Sequence, residues 1–190
     1  LVLAVAGGVD PDEVLAWAKK RFSKTPKANR TLAARPEPQA ISGGELFVET
    51  QGDDASVVIG FRTPALAKST DHLALVAIAA LLERPGGRLY RRLRNDNGLA
   101  YHFGATSVDG LDGGYFTIYA TTAPERAGQA IAVIGEEIAR LATEGVGAGE
   151  LAAVVRTLKL GYRHDLQRTS ALAGSLLLHE LYGGGYRRVF

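Results

Sequence analysis

Cysteine and methionine are absent from this 190-residue chain, and tryptophan occurs only once. Without cysteine there is no disulfide framework and no thiolate nucleophile. That lack fits a reducing or an oxidising compartment equally, so it assigns neither the cytoplasm nor the periplasm. The net charge is only +2, too small to force binding to nucleic acid or to a membrane surface. No apolar run approaches the ~20 residues of a membrane-spanning helix. Metal-ligand spacing is missing as well. The histidines are His72, His102, His164 and His179. Neither His-Glu-x-x-His nor His-x-x-Glu-His occurs around them, so there is no helical face on which two histidines hold zinc. His179-Glu180 is a fragment of such a pattern without its partner, as a helix-surface histidine would be. There is no Gly-x-Ser-x-Gly nucleophile turn. The glycine-rich pieces Ser42-Gly43-Gly44 and Gly183-Gly184-Gly185 lack the lysine and the spacing of a phosphate loop. On its own, then, the chain is not expected to be a working enzyme, nor to hold a metal or a cofactor.

What is present suits one folded domain over residues 1–190. Apolar residues make up 46% and charged residues 22%, enough to build a core and too little charge for extended disorder. The chain has no methionine and opens inside the apolar run Leu1-Val2-Leu3-Ala4-Val5-Ala6. It reads as a piece of a longer protein.

Periodicity and punctuation give the elements. Leu1–Ala6 reads as a buried strand ended by Gly7-Gly8. Asp10-Pro11-Asp12-Glu13 starts a helix with Val14, Trp17, Ala18 and Phe22 on one face. Residues 23–44 are polar and carry three prolines, as an extended connector would. Leu46-Phe47-Val48 and Val57–Phe61 read as strands about a Gly52-Asp53-Asp54 turn. A helix is expected from Thr70 to Leu82 with Leu73, Val76, Ala77 and Ala80 aligned, broken by Pro85-Gly86-Gly87. A short helix follows from Arg88 to Arg94, with Leu89 and Leu93 inward. Residues 99–105 and 115–121 alternate as two strands of a hairpin. Thr122-Ala123-Pro124-Glu125 reads as a capping box before an amphipathic helix that ends at Gly145. Two more helices follow, around Leu151–Tyr162 and Leu172–Leu181. Adjacent strand pairs among helices predict an α+β fold, with a mainly antiparallel mixed sheet and helices packed on one face.

Chemistry concentrates near residues 88–101. Arg88, Arg91, Arg92 and Arg94 make a basic segment. It is either a solvated helix face or an anion or nucleic-acid site, and no second basic cluster supports a nucleic-acid groove. The pattern Gly87-Arg88-Leu89-Tyr90-x-x-Leu93-Arg94-x-x-x-Gly98-Leu99-Ala100-Tyr101 resembles the signature of the non-catalytic, zinc-free domain of pitrilysin/insulinase-type zinc metallopeptidases. Val5-Ala6-Gly7-Gly8-Val9-Asp10-Pro11-Asp12-Glu13-Val14 resembles that domain's first strand and helix cap, and Ser56-Val57-Val58-Ile59-Gly60-Phe61 its central strand, so the likeness runs over nearly the whole chain. One departure is Glu83-Arg84-Pro85, where the family has a glycine-rich break.

The resemblance implies a partner rather than a complete enzyme. It places zinc, on a His-x-x-Glu-His motif, in another domain of the same chain or in a second subunit, the two halves closing around a peptide substrate. It implies that Arg94 and Tyr101, seven positions apart, reach the peptide near the scissile bond. It also implies that the domain continues past Phe190. The residues alone leave alternatives open. Tyr101 alternates with Leu99 and Phe103 and fits a core position equally well, and Arg94 fits a plain surface position. Relatives of this fold also serve as non-peptidase scaffolds.

Overall fold

Apolar residues recur at every second position of the sheet strands, and the ladder follows that period. In a computed structural model that describes residues 1–26, 42–65, 71–110, 113–182 and 184–190, three strands form: β1 (Ala55–Thr63), β2 (His102–Val108) and β3 (Gly114–Thr122). They pair antiparallel in the order β1-β3-β2. The register sets Val57 and Phe103 across Ala120, and Ile59 and Ala105 across Ile118. Cross-strand neighbours share a face, so these six make one apolar surface. The other face, with Val58 opposite Tyr119, is the more exposed one.

Helices α2 (Asp71–Glu83) and α3 (Ala127–Glu144) cover the apolar surface. Leu75, Ile78, Ala79 and Leu82 of α2 meet Ala130, Val133, Ile134 and Ile138 of α3 in one cluster with the strands, Leu89, Leu93, Leu99 and Ala100. Each fully buried Leu or Ile contributes about 1.5–3 kcal/mol of transfer free energy. This is the expected α+β layout. In the described residues the sheet is wholly antiparallel.

The described residues fall into two compact units: those of Glu37–Leu160, which hold the sheet, and those of Leu1–Pro36 with Gly161–Phe190. In the second unit, α1 (Pro11–Phe22) is capped as expected, with the Asp10 carboxylate accepting from the N–H groups of Asp12 and Glu13 at 2.8 and 3.2 Å. Helix α4 (Ala148–Asp165) belongs to the sheet-bearing unit up to Leu160 and to this unit from Gly161, and α5 (Thr169–Leu181) then packs against the turn Tyr186–Val189. There the Tyr162 hydroxyl donates to the Val189 carbonyl at 3.2 Å.

Several local expectations shift, each for a physical reason. Leu1–Ala6 and Leu46-Phe47-Val48 are not strands; no described segment offers them a ladder, and Phe47 is 88% exposed. The buried face of α2 is not Leu73, Val76, Ala77 and Ala80. That helix is apolar almost all round, so periodicity selects no face, and Leu73 points to solvent. β2 starts at His102 because the residues before it spend their backbone elsewhere. The N–H groups of Leu99 and Ala100 donate to the Leu93 carbonyl at 2.6 and 3.2 Å, and the Leu99 carbonyl accepts from the Thr122 hydroxyl at 2.7 Å. That bond also removes Thr122 from any capping box, and α3 begins only after a 3₁₀ turn at Pro124–Arg126. Thr70 and residues 27–41 of the connector lie outside the described residues.

Leu93 joins the core to the helix that bears Arg94, and it has no exposed surface. Leu93→Ala is expected to cost about 2–5 kcal/mol of unfolding free energy, read from denaturant midpoints. A loss below about 1 kcal/mol would mean that Leu93 does not anchor the core.

Candidate functional site

The chain reverses sharply between α2 and the next helix, and only glycine fits there. A Cβ on Gly87 would lie 2.6 Å from the Leu81 carbonyl oxygen and 2.7 Å from that of Arg84. The Gly87 N–H closes the turn on the Arg84 carbonyl at 2.7 Å. Glu83-Arg84-Pro85 therefore does not abolish the break. From Arg88 the chain is helical again, and it winds as a π-helix over Tyr90–Asp96. Leu89 and Leu93 turn inward, as expected. The helix stops at Asn97, where Gly98 takes φ +55°, a left-handed conformation that glycine adopts without strain.

This geometry brings Arg94 and Tyr101 together. The Arg94 guanidinium lies 5.4 Å from the Tyr90 ring centre and 5.6 Å from that of Tyr101, within cation–π range of both. Tyr90 in turn meets Phe103 edge-on, with ring centres 6.2 Å apart. Tyr101 is 78% exposed and Arg94 is exposed beside it. Among the described residues, neither side chain makes a hydrogen bond or an ion pair. Tyr101 is thus not a core residue: Leu99 and Ala100 are buried in succession, and the chain has not yet entered β2.

The other arginines of the segment are committed elsewhere. Arg88 is 8% exposed. Its Nε and Nη2 donate to both oxygens of Glu150 at 3.1 and 2.7 Å, its Nη1 to Glu137 at 3.1 Å, and its Nη2 also to the Gly145 carbonyl at 3.0 Å. These bonds, the one to Glu150 foremost, hold Arg88 charged well beyond its ordinary range, although burial opposes it. The same bond holds the Glu150 carboxyl below its ordinary value. Arg92 pairs with Glu136 at 2.6 Å, and Arg91 lies 3.7 Å from Glu150. Arg88 is therefore neither part of a solvated basic face nor free to bind an anion. An open cavity of about 520 Å³ lies over this network, lined by Arg91, Arg140 and Glu144 among others.

Among the described residues no three His, Asp or Glu side chains group as ligands. His179 bonds the Ser175 carbonyl through Nδ1, and His102 lies against the Tyr119 ring. No described helix is long and apolar enough to cross a membrane.

A family profile described as the peptidase M16 inactive domain matches residues 1–158. The chain belongs to that family. An uncharacterized zinc protease of Mycobacterium leprae is 28% identical over 194 residues, covering all of this chain and 43% of that protein. Another, from Rickettsia felis, is 29% identical over 154 residues, covering 80% of this chain and 36% of that protein. The M16 inactive domain thus spans less than half the length of the curated relatives it matches. The crystal structure of a peptidase M16 inactive domain from Pseudomonas fluorescens superposes with a TM-score of 0.82 at 18% identity, over 95% of this chain and 43% of that one. An inactive peptidase domain from Bordetella parapertussis gives 0.62 at 22% identity, over 76% of this chain and 79% of that one. At these identities the likeness is one of fold.

Sequence reasoning on this M16 domain missed Tyr90 as a partner of Arg94, although its spacing of four residues on one helix signals it. It also missed Glu137 and Glu150 as the partners of Arg88. They lie 49 and 62 residues away, and no local pattern announces them.

Two outcomes follow for the Arg88 network. Arg88→Met leaves Glu137, 1% exposed, without its closest cation. The expected loss is about 3–5 kcal/mol of stability by denaturant unfolding, whereas Arg168→Ala, at its exposed pair with Asp165, costs less than about 1 kcal/mol. Equal small losses would show that the network does not hold the unit. The second outcome concerns pH. The folded pKa of Glu150 is depressed, so the unfolded chain takes up the proton first. The stabilisation is complete above the unfolded carboxylate pKa of about 4.3 and fades as pH falls below it. The urea midpoint should therefore drop less steeply between about pH 5 and pH 3 in Glu150→Gln than in the parent. Identical slopes would contradict the assignment.

Proposed function

We propose that this chain is the zinc-free half of an M16-type peptidase, working with a zinc-bearing half in the same protein or in a second subunit. The observation that carries the reading is the exposed pairing of Arg94 with Tyr101, 5.6 Å from guanidinium to ring. Both hydrogen-bonding groups face no competitor among the described residues. An arginine fork and a phenol side by side can donate to successive carbonyl oxygens of an extended peptide. Attack on a peptide bond builds negative charge on the carbonyl oxygen, and preorganised donors stabilise that charge more than they stabilise the resting amide. Cation–π contacts with Tyr90 and Tyr101 restrain the guanidinium before substrate arrives. The names of the relatives, zinc proteases roughly twice as long, support a catalytic metal held outside this segment.

Turnover by the protein containing both halves tests the proposal. Tyr101→Phe removes one donor while keeping the ring. Loss of a single oxyanion donor costs about 2.7–4 kcal/mol where it acts alone. Here the stabilisation is shared, so a kcat reduction at the lower end of that range or below it is expected. Arg94→Ala should act in the same direction, and both variants should keep the parent's melting temperature within a few degrees. Full turnover in both would remove the pair from catalysis and favour a scaffold role for the domain.

A further inference from the structure

We propose that Arg126 is a positioning residue that fixes the spacing of Arg94 and Tyr101 by clamping the turn between them. The inference rests on the reading that this pair meets a peptide, and it adds a residue that the local signature does not contain.

Arg94 lies in the last turn of one element, two residues before its end, and Tyr101 immediately precedes another, so residues 95–100 set their separation. Several bonds fold this turn back on its own helix. The Gly98 N–H donates to the Arg94 carbonyl at 3.1 Å, and the Asn97 side-chain amide donates to the Arg92 carbonyl at 2.6 Å. Such bonds shape the turn but do not locate it against the rest of the unit. Arg126 does. Its Nη1 donates to the Gly98 carbonyl and its Nη2 to the Asn97 carbonyl, each at 2.8 Å. Two successive carbonyls thus face the two arms of one guanidinium. They lie just past the end of the π-helix, where backbone oxygens lack helical partners and the local potential is negative.

The base of the clamp is rigid. Arg126 closes a 3₁₀ turn through its N–H to the Ala123 carbonyl at 2.9 Å, and Ala127 and Ala130 follow at once in the core. Thr122, four residues earlier, holds the Leu99 carbonyl from β3. The turn is therefore tied at Asn97, Gly98 and Leu99 to one stretch of chain. Among the described residues Arg126 makes no ion pair, and it does not cap α3 with its side chain. Its charge is spent wholly on two neutral carbonyls, one of them exposed. Lysine, a single-point donor, cannot reproduce the fork.

The test uses the protein that carries both halves and compares Arg126→Gln with Arg94→Ala and Tyr101→Phe. Loosening the turn should lower kcat between about tenfold and a hundredfold, with KM changed less than about twofold. The readout that separates positioning from simple support is coupling. In the Tyr101→Phe background, Arg126→Gln should add little further loss of kcat, although it lowers the melting temperature by the same amount in both backgrounds. If Arg126→Gln does not fold, Arg126→Lys is read the same way. An Arg126→Gln enzyme with parental kcat, while Arg94→Ala and Tyr101→Phe are impaired, overturns the inference alone. So does a kcat loss that is undiminished in the Tyr101→Phe background. If Arg94→Ala and Tyr101→Phe both keep full turnover, the underlying reading of the pair falls and the inference with it.

Discussion

Arg88 enters the interior charged, and it is satisfied because α3, the start of α4 and the loop between them deliver Glu137, Glu150 and the Gly145 carbonyl to its fork. Replacing such a network with well-packed apolar residues is often neutral or stabilising, since desolvation cancels much of the Coulombic gain. Its value here is directional. Leu89 and Leu93 would accept many sliding arrangements against the sheet, but four donor–acceptor bonds accept one. They fix where the helix of Tyr90–Asp96 begins and how it is rotated, and that rotation sends Leu93 inward and Arg94 outward. The exposed pair at the surface is thus set by a charge buried one to two turns earlier.

The site is layered from that point outward. The Arg88 fork places the helix, the π-winding lines Tyr90 up with Arg94, and the turn at Gly98 returns the chain so that Tyr101 also reaches the guanidinium. Phe103 supports Tyr90 from β2. Among the described residues Arg94 is held by ring contacts rather than by an acid. That choice leaves its donors free, where a carboxylate partner would occupy them.

Much of this was legible in the sequence where the signal is local. The Asp10 cap, the strands around Val57–Phe61 and 115–121, the inward Leu89 and Leu93, and the helix ended by Gly145 all follow from spacing and punctuation. Arg94 and Tyr101 were nameable through the family signature, yet alternation with Leu99 and Phe103 left Tyr101 equally placed in a core. The decision lay in the Leu93 carbonyl and the Thr122 hydroxyl, which take the backbone of 99–100 out of the ladder. Thr122 itself misled as a capping residue because its hydroxyl has a tertiary partner. Leu46-Phe47-Val48 has strand composition but no strand beside it among the described residues. Arg88 looked like one more surface cation because its acids come from 49 and 62 residues away.

The central claim is that the surface bearing Arg94 and Tyr101 meets the peptide while it is being cleaved. Photo-crosslinking from position 101 tests this most directly. A benzophenone side chain is placed there in the protein carrying both halves, which is then mixed with an unstructured peptide that the parent protein cleaves. The account predicts adducts on the peptide within a few residues of the scissile bond, competed away by excess unlabelled peptide. A peptide that is turned over by this protein yet gives no adduct from position 101, while an equivalent probe in the zinc-bearing half labels it, would contradict the account.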